Sequence, residues 1–160
     1  MEDLSLILWR ERELLDLLAY KLEVEQLVLG SGRSKWLVQA NREVEDLLVS
    51  VREIEVLRAV AADEVGIELG LGENPTLSAL AAAAEEPWRS ILEEHRDAFV
   101  AVATDIASLS EANRTLITAG YRSARETLLA INGASTEQQY SPTGEMVPAA
   151  PRQRLVDRTL

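Results

Sequence analysis

PWRSILEEHRDAFVAVATDIASLSEANRTLITAGYRSARETLLAING, residues 87–133, is the stretch that decides the fold. Trp88, Leu92, His95, Phe99, Val102, Ile106 and Leu109 recur at alternating steps of four and three, the period of a helix that packs along a seam. Pro87 suits a first turn, where a missing N–H costs nothing. Past Asn113 the apolar positions become Ile117, Tyr121, Ala124, Leu128 and Ile131. The shift is a four-residue insertion, which unwinds a supercoil locally. Asn132-Gly133 predicts the helix end. At about 1.5 Å per residue such a helix is a rod of roughly 70 Å, suited to an elongated bundle.

Upstream, Leu4, Ile7, Leu8, Leu14, Leu15, Leu18, Leu22 and Leu27 mark one face of a helix over about 3–29, stopped by Gly30 and Gly32. Ser31 or Ser34 can cap a second helix over about 34–65. Its stripe is Leu37, Ala40, Val44, Leu47, Val51, Ile54, Leu57, Ala61 and Val65. The pattern dissolves at Gly66, Gly70 and Gly72, and Asn74-Pro75 closes it. The Ala-rich 76–84 reads as a short helix before the long one over 87–132. Pro142, Pro148 and Pro151 fall in residues 134–160, where periodicity is lost; that segment is expected to be a disordered, flexible tail. The expected fold is therefore all-α: an elongated antiparallel bundle or coiled coil of three long helices plus a short one, spanning 1–133. Scarce aromatics, 4% of the chain, fit this, because Leu, Val, Ile and Ala fill a seam between helices.

The net charge of −11 repels nucleic-acid phosphates and anionic lipid. The 134–160 segment balances its own charges, so the whole excess sits on the helical body. Cysteine is absent, which removes disulfides, thiolate metal sites and Cys nucleophiles. Met1-Glu2-Asp3-Leu4 is acidic where a signal peptide is basic, and no apolar run reaches the roughly 18 residues of a membrane span. A cytoplasmic location without membrane insertion is the expectation.

No catalytic constellation is legible. Gly30-Ser31-Gly32-Arg33-Ser34-Lys35 superficially suggests a phosphate-cradling loop, but no strand precedes it and the Walker spacing is missing. An inter-helix turn is the plainer reading. His95 is the sole histidine; a di-iron bundle needs two Glu-x-x-His pairs, and residue 92 is leucine. His95 occupies a seam position and reads as a partly buried, hydrogen-bonded structural residue. The carboxylates of 43–55 and 85–97 mostly flank the apolar stripes and read as solvated faces. Trp9, Trp36 and Trp88 each lie near the start of a long helix, as bundle core or as partner anchors. No enzyme, cofactor or metal is expected.

Ala112-Asn113-Arg114-Thr115-Leu116-Ile117, then Leu128-Leu129-Ala130-Ile131-Asn132-Gly133, then Tyr140-Ser141-Pro142-Thr143-Gly144 resembles the C-terminal signature of the FlgN family. Leu14-Leu15-Asp16-Leu17-Leu18 and the chain length are similar to that family as well. Ser141-Pro142 departs from the polar or acidic residue that usually follows the tail tyrosine. The resemblance implies a cytoplasmic chaperone that binds the C-terminal helices of hook-associated (hook–filament junction) proteins and delivers them to the flagellar type III export gate. Leu116, Ile117, Tyr121, Leu128 and Ile131 are expected partner-binding residues, because the shift at Asn113 leaves that half of the helix poorly matched to the intramolecular seam; Tyr140, in the tail, is a further expected one, since a tyrosine beside small residues brings much contact area at low entropy cost. A structural or adaptor coiled coil acting through self-association is the alternative, and the oligomeric state stays open.

Overall fold

The computed structural model describes the backbone of residues 1–137 and the side chains of residues 1–132. Four α-helices follow one another: α1 (Glu2–Gly30), α2 (Leu37–Glu68), α3 (Leu77–Ala83) and α4 (Trp88–Glu137). A 3-10 turn over Ser34–Trp36 leads into α2. No strand occurs among the described residues, so the fold is all-α. Contacts divide the chain into one unit of residues 1–117 and a second beginning at Thr118.

In the first unit α1, α2 and the front of α4 run up, down and up. The ion pairs Lys21–Glu43 and Glu11–Arg58 set α1 and α2 antiparallel. The contacts of Trp9 with His95 and of Leu22 with Asn113 set α1 and α4 parallel. Two apolar clusters fill the seam. Leu4, Leu8, Ala61, Ala62, Val65, Leu80, Ala81, Ala84 and Leu92 make one. Leu14, Leu18, Leu22, Val44 and Val51 make the other, backed by Ile106 and Leu109.

The α2–α3 connection depends on two small devices. The Asp63 carboxylate accepts from the Asn74 N–H at 2.7 Å, holding Asn74 at a φ of 54°. This brings Pro75 back onto Gly66, where a Cβ would lie 2.8 Å from the proline Cγ. Gly66 therefore does not end α2, as the glycine pattern suggested; it lies inside the helix and makes room for the returning ring. Gly66→Ala is expected to cost about 1–3 kcal/mol by overpacking. Gly120→Ala, at an α4 position where nothing stands within 4 Å, should stabilise by about 0.5–1 kcal/mol. Urea unfolding followed by circular dichroism separates the two.

Other local expectations are corrected. Ser31 does not start α2: its hydroxyl donates to the Val28 carbonyl at 2.9 Å and so closes α1. Thr76 caps α3, accepting from the Ala79 N–H at 3.1 Å. Helix α4 does not stop at Asn132-Gly133 but continues to Glu137. A lone glycine costs a helix only about 1 kcal/mol relative to alanine, and Ala134 follows it with no proline before Pro142. Leu27 and Leu57, placed in the apolar stripes by sequence, are exposed; Leu57 retains 55% of its surface.

Candidate partner-binding site

The seam of the first unit carries polar groups at three levels. Glu11 on α1 is buried and takes the Arg58 guanidinium at 2.8 Å. Desolvation raises the Glu11 carboxyl above its ordinary 4.5 despite the opposing pull of Arg58. At the next level His95 is buried with the Trp9 ring edge-on at 4.9 Å and Phe99 stacked at 6.2 Å. Neither His95 nitrogen has a hydrogen-bond partner among the described residues, so the expected hydrogen-bonded histidine is instead a buried neutral ring. Burial and the nearby Arg12 hold it below its usual 6.5, with Glu94 pulling the other way.

A depressed histidine pKa means that the unfolded chain binds the proton first, so stability falls as pH drops through 6.5 toward the folded-state value. His95→Phe keeps the ring and removes the titration. Relative to wild type, the variant is expected to gain stability progressively as pH is lowered below 6.5. Parallel stability–pH curves for the two proteins would contradict this assignment.

Asn113 closes the seam. It is buried, and its amide donates to the Leu22 carbonyl and to Glu25 Oε2, both at 2.9 Å. From Arg114 to Asn132 every described residue is exposed. Two shallow grooves flank this point on the first unit. One, of about 460 Å³, is lined by Leu37, Val38, Arg42 and Ile117 among others. The second, of about 490 Å³, runs along Gln26, Ala112, Thr115 and Leu116.

The predicted partner-binding residues are thus distributed as follows. Leu116 and Ile117 lie at the end of the first unit, each on a groove and each exposed. In the second unit Tyr121, Leu128 and Ile131 are exposed, Tyr121 by 73% and Leu128 by 63%. Tyr140 lies outside the described residues. Sequence reasoning missed Leu129, which is exposed beside Leu128, and Val38, which lines the first groove. It also missed an outward-facing row on α2: Val49, Val56, Val60 and Ile67 are all exposed. The signal was present, since these four recur at steps of seven, four and seven and describe a second apolar face. Trp36 is exposed with the Lys35 ammonium 5.0 Å over its ring, and Trp88 packs on the first core cluster.

The family described as FlgN protein matches residues 1–148. The chain belongs to the FlgN family. No curated protein and no solved structure matches it. FlgN proteins are chaperones of flagellar protein export, and an all-α body with apolar surface exposed on its last helix suits that role. No helix among the described residues is long and apolar enough to cross a membrane. No group of His, Cys, Asp or Glu among them could hold a metal ion.

Proposed function

We propose that this FlgN-family chain acts in the cytoplasm, captures the C-terminal helices of hook-associated proteins on the exposed part of α4 and brings them to the flagellar export gate. The observation that carries the reading is the contrast along α4. Before Asn113 its seam positions Leu92, Phe99, Val102, Ile106 and Leu109 are buried or half-buried, whereas Leu116, Ile117, Tyr121, Leu128, Leu129 and Ile131 face solvent. Burying a leucine or isoleucine side chain is worth about 1.5–3 kcal/mol, so a few of these suffice to hold an amphipathic helix. A partner helix laid along Tyr121, Ala124, Leu128 and Ile131 meets the i, i+3, i+7, i+10 spacing that the chain presents. Export substrates travel unfolded, so their assembly helices need their apolar stripes covered beforehand.

The test is titration of the purified chain with C-terminal helices of hook-associated proteins, followed calorimetrically. Saturable binding that is lost with Leu128→Asp supports the reading. Binding that is unaffected by every substitution between 116 and 131 would remove it.

A further inference from the structure

We propose that the turn between α1 and α2 is a second docking surface, one that takes a short acidic segment of a partner protein carrying a bulky apolar side chain. The sequence around this turn differs from the rest of the body. Residues 26–42 hold three cations, Arg33, Lys35 and Arg42, and no acid, whereas elsewhere in residues 1–117 acids outnumber cations 23 to 8. All three cations are exposed, and none takes part in an ion pair. Large apolar side chains stand out beside them: Leu27, Trp36 and Val38 are exposed, Val38 by 79%. The Lys35 ammonium lies 5.0 Å over the Trp36 ring, a cation–π contact that keeps charge and indole together at the surface.

The groove of about 460 Å³ starts where the turn runs into α2. Leu37, Val38 and Ile117 give it an apolar lining, and Arg42 gives it a charge. The two carboxylates that also line it are engaged elsewhere. Glu25 accepts from the Asn113 amide at 2.9 Å and Glu45 from the Asn41 amide at 2.8 Å, which leaves Arg42 unpaired. An apolar side chain seated against Leu37 and Val38 brings the carboxylates of its own segment within reach of these cations, and arginine binds a carboxylate through paired hydrogen bonds. Tryptophan and arginine around a concave apolar site are also the residues that dominate binding at protein interfaces. An anionic bilayer fits this turn less well, because it would meet the acidic faces of α1 and α2 at the same time. A single acidic segment meets the cationic turn alone. None of the three cations belongs to the α4 row assigned to cargo, so this surface serves a partner other than the cargo helix.

Calorimetric titration of the full chain with a synthetic peptide, a central leucine flanked by aspartates and glutamates, tests this. The control is the same peptide with asparagine and glutamine in place of its acids. Wild type is expected to bind the acidic peptide saturably, more weakly as salt is raised, and the control on the order of tenfold more weakly or less still. Arg33→Glu with Lys35→Glu changes only exposed positions. It should weaken the acidic peptide on the order of tenfold or more and leave the melting temperature and the affinity for a hook-associated helix unchanged. Val38→Asp should weaken the same peptide through the lost apolar contact. Absence of saturable binding, equal binding of the control, or binding indifferent to these substitutions overturns the inference. Phosphatidylglycerol vesicles provide a further arm: their binding by wild type and not by the double variant, with the peptide unbound, would assign the turn to lipid and overturn it too. Cargo titrations on the same preparations judge the chaperone reading separately, and loss of cargo affinity in the double variant would place cargo on the turn and overturn the inference of a second partner.

Discussion

Arg58→Ala is expected to destabilise the bundle by about 3 kcal/mol at pH 7, more than any exposed substitution on the same helix. Arg58 matters through what it leaves behind. Glu11 is buried between α1 and α2, and the guanidinium is its charge partner. Without it the carboxylate is an uncompensated buried charge, a defect that costs about 3–5 kcal/mol in buried pairs. Protonation limits the damage: taking a carboxyl of ordinary pKa 4.5 to its neutral form at pH 7 costs about 3 kcal/mol. The pH dependence follows. Glu11 already binds its proton more tightly in the folded chain, and losing Arg58 raises its pKa further. A raised carboxyl contributes stability at low pH that disappears as pH rises through the folded value. The Arg58→Ala penalty should therefore shrink as pH is lowered toward 5 and reach its full size at pH 8. Adding Glu11→Gln should restore much of the stability and flatten the pH dependence. Urea unfolding of the three proteins at several pH values measures this; an equal penalty at every pH would show that Glu11 keeps its charge by another route.

Leu128→Asp carries the second large effect, on binding rather than folding. Leu128 is exposed, so a charge there is solvated in the free chain and the melting temperature should move by less than about 0.5 kcal/mol equivalent. In a complex the same aspartate is buried beside an apolar stripe and costs several kcal/mol. Affinity for a hook-associated C-terminal helix should fall on the order of a hundredfold or more. Leu8→Asp is the contrasting control: Leu8 is wholly buried in the first core cluster, and the substitution should unfold the body. If Leu128→Asp instead unfolds the chain, that residue belongs to the core and the binding surface is misassigned.

The contrast between these positions also shows what was legible in the sequence. Apolar periodicity located the helices because leucines and valines dominate the seams. It failed where the seam is polar. On α1 the strict heptad runs Leu4, Leu8, Glu11, Leu15, Leu18, Leu22, Glu25, and on α2 it runs Ala40, Val44, Leu47, Val51, Ile54, Arg58, Ala61, Val65. Following hydrophobicity alone skipped Glu11 and Glu25 and chose Leu57 over Arg58. Following the period would have placed Glu11 and Arg58 in facing seams, which is where they pair. Buried polar groups of this kind fix register between helices, and Asn113 on Leu22 and Glu25 does so at the far end. The shift past Asn113 was legible because stripe residues change places there, and the exposure of 114–132 matches a seam that ends at that asparagine. The outer valines of α2 went unread because one helix was searched for one apolar face, and this helix has two.

Hydrogen–deuterium exchange of the full chain, with and without a saturating hook-associated C-terminal helix, addresses the central claim most directly. Backbone amides on exposed helix exchange fast unless a partner orders them. The account predicts that cargo slows exchange across residues 114–132 and leaves the amides of 88–113, already packed against α1 and α2, nearly unchanged. Protection that appears on α1 or α2 while 114–132 continues to exchange as in the free chain would contradict it.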